Sequence, residues 1–368
     1  MSKRFIRSIN YMRGLCMLGV IGIHVGSVAL LNPSPNLGLV AVLEILSRFS
    51  VPAFFFLSAF GMFLSQPLNQ PFVYKDYLKR RLRTVLIPYL SWSVFYMLYV
   101  SVIGHNFTLF HPGQFIRTLW YGLAMYHIYF LIILLWFYFL MPLWRSLLRW
   151  MDKKPALSFT VLFFANMIFN FYSSYIWNFH FTSPVLQDAF TYRLNYVVLH
   201  YLFIFLFGAF TAEHFSAVCN WLKCHGLMVN LFQGLATAGM LAAYYGIMYY
   251  KGYDALSAVF TIHQLSPVGM IYTLSTMLFC LYWWQCRPVP HVVDKVFSLL
   301  GDYSYPIYLV HPLFLGLLTR LAGHYHIFLR SLYIIAIYCI VTLLAIAFSI
   351  IVTKAPLPRW LRICIKGK

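Results

Sequence analysis

"NYMRGLCMLGVIGIHVG", residues 10–26, decides how this chain is read. One arginine opens the stretch, an almost wholly apolar run follows, and a histidine stands eleven residues after Arg13. About twenty apolar residues are what a helix needs to cross the hydrocarbon of a bilayer. The pattern recurs along the chain. Hydrophobic residues make up 62% of the 368 and charged ones 10%, against roughly 25% charge in soluble domains. The expected fold is therefore an all-α, polytopic membrane protein. Apolar runs fall at about 13–31, 39–64, 84–104, 119–143, 156–174, 194–213, 226–250, 264–286, 296–320 and 331–353, which predicts about ten transmembrane helices. The first run is too long for the apolar core of a signal peptide and lacks a small-residue cleavage site, so it is expected to stay as an anchor. Residues 175–193 form an aromatic, polar stretch between the fifth and sixth runs and are a candidate re-entrant loop. No repeat or soluble segment interrupts the pattern, and a single transmembrane domain over 1–368 is expected.

A formal charge of +19 raises the question of nucleic acid. The basic residues, however, sit in short clusters between apolar runs rather than along one soluble face, so no nucleic-acid partner is expected. With both termini in the cytoplasm, the inside would hold Lys3, Arg4, Arg7 and Arg13, the Lys75–Arg83 cluster, Arg145 to Lys154, Lys223, Arg287, Lys295 and the Lys354–Lys368 tail. Only Arg117, Arg193, Lys251, Arg320 and Arg330 would then lie outside. The positive-inside rule selects that orientation. A multi-pass protein of a bacterial plasma or inner membrane, in contact with membrane lipid, is expected. The seven cysteines show no paired metal-ligand spacing, and no metal is expected.

Eleven residues of α-helix make just over three turns. Arg13 and His24 therefore share a face, about 16 Å apart along the axis. With Arg13 at the inner surface, His24 lies near mid-membrane, where ionisable groups are costly and usually face a wet cavity or another helix. The second run, "VLEILSRFSVPAFFFLSAFGMF", enters from outside and brings Arg48 to a similar depth. Glu44 is one turn away and can pair with it. The pair can be purely structural, or Arg48 can orient a buried acceptor. Pro52 is expected to kink this helix.

Ahead of the third run, "VYKDYLKRRLRTVLIPY" places Arg80 and Arg83 at i,i+3, on one side of a helix at the cytoplasmic surface. Guanidinium groups grip phosphates in bidentate fashion. Arginines at the inner mouth and an imidazole a long reach inside describe a slot for a phosphorylated head on a flexible arm. Coenzyme A has that shape.

Taken together, Arg-x10-His (Arg13, His24), "SRFSVPAFFFLSAFGMF", Arg-x-x-Arg (Arg80, Arg83), "YHIYFLIILLWFYFLMP" and "DYSYPIYLVHPLF" resemble the acyltransferase 3 family of integral membrane acyltransferases over nearly the whole chain. The second-span run is most similar to the branch holding surface-polysaccharide O-acetyltransferases and adhesin-polysaccharide modification proteins described as exporters. The resemblance implies a cytoplasmic acyl-CoA donor, acetyl-CoA by default, an acceptor presented from outside, and roles for both arginine motifs. The chain departs from the family in two ways. Asn10 stands where many members have aspartate, and no hydrolase-like domain is expected after the spans.

In "GDYSYPIYLVHPLF", Ser304, Tyr308 and His311 follow i, i+4, i+7 and form a polar stripe. Such a stripe either bonds neighbouring helices or lines an acceptor cavity. His127, near the outer end of the fourth run, is a further candidate. The functional expectation is O-acyl transfer to a hydroxyl of a surface glycan or lipid-linked saccharide. His24 would act as general base and Arg13, Arg80 and Arg83 would hold the donor, while Glu44, Arg48, His127, Ser304, Tyr308 and His311 line the acceptor cavity. The alternative is a polysaccharide or lipid-linked sugar transporter using the same polar core.

Overall fold

The computed structural model describes residues 6–367; of the topology charges above, Lys3, Arg4 and Lys368 lie outside the described residues. The described chain is helical, without a β-strand. Seven helices are long and apolar enough to cross a membrane: α1 (Arg7–Ala29), α2 (Leu37–Ser65), α3 (Tyr74–Ile103), α5 (Pro155–Ile176), α7 (Gly226–Lys251), α9 (Ser304–His324) and α10 (Ser331–Lys354). Two bent pairs raise the number to as many as nine: α4 (Tyr129–Phe139 with Met141–Met151, bent by 68°) and α6 (Val198–Glu213 with Phe215–Cys224, bent by 97°). The remaining expected span, 264–286, is the helix α8 (Pro267–Gln285). It buries the polar side chains of Thr273, Ser275 and Thr276.

The ninth span differs from its expected limits. Residues 296–302 belong to a separate amphipathic helix, His291–Asp302, and the spanning helix begins only at Ser304. Polar bonds to α1 hold the connecting helix down. Tyr11 Oη donates to Asp294 Oδ1 at 2.5 Å, and Asn10 Nδ2 donates to Asp302 Oδ1 at 2.9 Å. Asn10 thus supplies a donor to a carboxylate where an aspartate would repel it.

α1 is the hub of the bundle, and its glycines explain why α2 lies so close. A Cβ added at Gly19 would come within 1.9 Å of Ser50 Oγ, and one at Gly26 within 2.7 Å of Glu44 Cγ. Small residues at helix interfaces let backbones approach in membranes. Here that approach carries Glu44 and Arg48 to the level of His24. The irregularity expected at Pro52 falls just before it. Ala41–Ile45 is a π-helical turn, followed by a short turn to Ser50. One carbonyl in this region, Leu46 O, accepts from Tyr272 Oη at 2.9 Å, which satisfies backbone that lipid could not.

The expected re-entrant loop takes the form of a short helix, Pro184–Thr191, after the π-turn Tyr172–Ile176. Asp188 on that helix receives two bonds from Arg117, Nε to Oδ2 at 2.6 Å and Nη2 to Oδ1 at 2.9 Å. This fork clasps it to the helix Pro112–Tyr121.

Candidate active site

Between α1, α2, α4 and α9 lies a cavity of about 660 Å³. His24, Glu44, Arg48, His127 and Tyr308 line it, together with Gln264 from the segment before α8. Five of the residues expected at the site are therefore brought together. His311 completes the cluster from behind. Its ring lies 5.3 Å from that of His24, stacked at 24°, and 5.3 Å from that of His127, edge on at 71°.

The three imidazoles are not equivalent. His311 is fully buried, and its Nδ1 lies 2.8 Å from Tyr308 O and 3.2 Å from Ile307 O. Carbonyls only accept, so Nδ1 carries the proton and Nε2 is left as a lone pair without a partner. Both ring nitrogens of buried His127 also lack partners. The His24 ring is part-exposed to the cavity, and among the described residues neither of its nitrogens has a hydrogen bond. Its ring is held instead by Tyr126, 4.4 Å away between centroids, and by His311. A substrate hydroxyl in the cavity can reach His24 directly, whereas His311 lies behind it. Among the described residues, no group of three or more His, Cys, Asp or Glu side chains has the geometry to hold a metal ion.

Opposite the histidines, Arg48 Nη2 meets Glu44 Oε2 at 2.7 Å, and Ser27 Oγ donates to Glu44 Oε1 at 2.6 Å. Ser27 lies one turn past His24 and could have been read from that spacing. Gln264 Oε1 accepts from Arg48 Nη1 at 3.4 Å, and Arg48 Nε is buried without a partner. The pair is largely neutralised internally. It presents a fixed dipole to the cavity rather than a bare charge.

The other polar group sits about 16 Å away along α1. Arg13 is half-buried, forms no hydrogen bond or ion pair among the described residues, and lies against Gly61, where an added Cβ would be 3.3 Å from Nη2. Beside it is Arg81, whose guanidinium carbon lies 5.2 Å from the Tyr138 ring centre and 5.6 Å from that of Tyr77. Arg81 Nε is buried without a partner. Arg80 and Arg83 do share a side, as their spacing requires, but it is the exposed side. With Lys79 and Gly367 they border a separate pocket of about 390 Å³. Successive helical residues point about 100° apart, so the inward residue here is Arg81, which spacing alone did not single out.

Ser304 stands apart from the cavity. It opens α9 at the Arg13 end, and its Oγ donates to Gly301 O at 2.9 Å. Tyr308 and His311, farther along the same helix, do reach the histidine cluster, and Tyr308 Oη donates to His127 O.

Comparison with known proteins gives the family. The family profile described as "Acyltransferase domain" matches residues 6–354, nearly the whole chain. The chain belongs to that acyltransferase family. It is thus a membrane acyltransferase, and its apolar helices make it a multi-pass bacterial membrane protein. It is 23% identical over 322 residues to the "Probable poly-beta-1,6-N-acetyl-D-glucosamine export protein" of Staphylococcus aureus (strain MRSA252), covering 85% of this chain and 83% of that one. It is 22% identical over 326 residues to the "Putative membrane-bound acyltransferase YfiQ" of Bacillus subtilis (strain 168), covering 84% and 81%. No solved structure matches the chain.

Proposed function

We propose that this acyltransferase moves an acyl group, acetyl in the simplest case, from acyl-CoA at the cytoplasmic face to a hydroxyl of a surface glycan or lipid-linked saccharide. The observation that carries the reading is the placement of His24: an imidazole with both nitrogens free, facing a cavity of about 660 Å³ and on the same helix face as the unpaired Arg13. The positive-inside argument puts the Arg13 end, and both termini, in the cytoplasm. Arg13 and Arg81 then meet the donor's phosphates, with Arg80 and Arg83 on the surface beside them. The acyl arm runs along α1 toward His24.

In the reaction, a lone pair on His24 takes the proton of the acceptor hydroxyl as its oxygen attacks the thioester carbonyl. The carbon–sulfur bond breaks, and the leaving thiolate takes the proton back from the imidazolium. The products are an ester and free coenzyme A. Stacked His311, with its tautomer fixed through Nδ1, positions the His24 ring, and the Glu44–Arg48 dipole faces the acceptor. The saccharide acceptor is supported by the printed name of the Staphylococcus relative, which refers to poly-N-acetylglucosamine.

His24→Ala should leave a folded, inserted protein with acyl transfer lowered by about 10²–10⁴-fold, the usual loss of a general base. Full activity in that variant would end this mechanism. The same relative's name favours a second reading, export. Vesicles separate the two, because an acyltransferase moves label from cytoplasmic acetyl-CoA onto an external glycan, whereas an exporter accumulates unmodified glycan whether or not the donor is present.

A further inference from the structure

The two polar ends are separated by a layer of protein. On α1 the cavity reaches down to Val20, seven residues above Arg13 and so about 10 Å from it. On α9 it reaches down to Tyr308. Tyr305 is three residues farther toward the Arg13 end, about 4.5 Å below Tyr308, and so falls inside that layer. Its neighbours are Tyr308 above and Tyr138 below, and Tyr138 is also the ring beside Arg13 and Arg81.

The Tyr305 hydroxyl is buried with no hydrogen-bond partner. Buried polar groups are rarely left so, and each instance calls for an explanation. Small hydroxyls such as Ser93 and Ser101 can fall back on the carbonyls of their own helix. A tyrosine hydroxyl at the far end of a rigid ring has no such recourse. Three tyrosine hydroxyls, those of Tyr99, Tyr244 and Tyr305, are buried unpartnered among the described residues. Tyr99 borders the cavity and Tyr244 lies on α7, which leaves Tyr305 as the one between the arginines and the histidines.

We propose that Tyr305 is a binding residue for the amide-bearing arm of the acyl donor, its ring closing the passage between the arginine slot and the histidine cavity when empty and its hydroxyl donating to an arm amide carbonyl when the arm is threaded. This rests on the coenzyme A reading above. The chemistry fits because an amide carbonyl is the acceptor that an orphaned hydroxyl at this depth lacks. The ring fits because a bilayer protein with polar groups at both ends must stay sealed between turnovers.

The test compares two ligands on purified protein in detergent: coenzyme A, and 3′-phosphoadenosine 5′-diphosphate, which is the same nucleotide without its arm. Tyr305→Phe keeps the ring and removes only the hydroxyl. It should weaken coenzyme A binding about threefold to tenfold, as losing one neutral hydrogen bond does, and leave the arm-less nucleotide unchanged. Tyr305→Trp, which fills the passage, should reduce coenzyme A to the affinity of the arm-less nucleotide. Equal binding of coenzyme A by wild type and both variants would overturn the assignment while leaving the donor reading intact. Parallel weakening of both ligands would show a general structural effect and overturn it as well. If wild type binds neither ligand, the donor reading itself falls, and this inference falls with it.

Discussion

The arginines of the Lys75–Arg83 cluster offer the sharpest contrast between spacing and structure, and a single set of variants separates them. Arg81 is half-buried against Tyr77 and Tyr138, beside the unpaired Arg13, whereas Arg80 and Arg83 are exposed. A hydrogen bond to a charged group in a partly desolvated site contributes about 1.5–3 kcal/mol. At 1.4 kcal/mol per factor of ten, Arg81→Gln should weaken acyl-CoA binding by roughly 10–150-fold. Exposed charge pairs contribute about 0.2–1 kcal/mol each and are screened over a Debye length of about 10 Å at 0.1 M salt. The double variant Arg80→Gln/Arg83→Gln should therefore lose affinity by well under the Arg81 factor, and the loss should shrink further as salt is raised. Calorimetric titration of acetyl-CoA into detergent-solubilised protein at low and high salt measures both. If Arg81→Gln binds as tightly as wild type while the double variant loses tenfold or more at high salt, the donor lies in the surface pocket with Gly367. The inward slot would then have another use.

Two further outcomes follow from contacts away from the donor slot. Glu44→Ala leaves Arg48 in the core with only its 3.4 Å bond to Gln264, so it should destabilise the protein by about 3–5 kcal/mol, and the pair Glu44→Leu/Arg48→Met should recover most of that loss; unfolding in mixed micelles reports both, and a Glu44→Ala protein as stable as wild type would refute the argument. The hydrogen bonds from Arg117 hold the Asp188 carboxyl below its ordinary value of 3.8, so the clasp between Pro112–Tyr121 and Pro184–Thr191 is present above that value and is lost only as pH falls through the lowered one; spin-label distances between the two helices should stay flat from pH 8 to 5, and a change inside that window would contradict the assignment.

What could be read from residue order and what could not divide along a physical line. The Arg13-to-His24 separation was legible because both residues ride on one rigid helix, and eleven steps fix distance and face together. Glu44 and Arg48 were legible as a pair for the same reason. The ten apolar runs gave the spans, but not the break at Tyr303, because "VFSLLGDYSYPIYL" stays apolar enough to read as one segment. The turn there is enforced by Asn10 and Tyr11, nearly three hundred residues away. That break also explains Ser304, which shares a stripe with Tyr308 and His311 on paper yet is the first residue of the helix, at the wrong end for the cavity, with its hydroxyl donating back to Gly301 O. Which arginine of Lys79–Arg83 faces inward depends on the rotation of α3 against its neighbours, and a single helix does not encode its own rotation. The grouping of His24, His127 and His311 likewise comes from α1, the turn ahead of α4 and α9, and only their packing makes one site of them.

That packing places a constraint on how acyl transfer can proceed in this fold. Arg13 and His24 are fixed to one helix, so in the proposed reaction the distance between a donor phosphate at Arg13 and the His24 imidazole does not change during turnover. No rocking of one half of the bundle against the other is needed to bring the thioester to the acceptor, provided the arm spans the roughly 16 Å between them. In that reaction, what has to move is the layer that Tyr305 occupies below Val20 and Tyr308. An exporter makes the opposite demand, since a saccharide chain must pass the layer that holds Tyr305 and Tyr138, beside a tightly packed glycine interface. Widening it on the α1–α2 side would separate the helices where Gly19 leaves no room beneath Ser50, and would part His24 from the Glu44–Arg48 pair. A disulfide between α1 and α2 at the Gly22–Ser47 level, where a Cβ added at Gly22 would lie 3.7 Å from Ser47 Cβ, would therefore block export by that route but leave acyl transfer standing, so the same locked protein distinguishes the two readings by which activity survives.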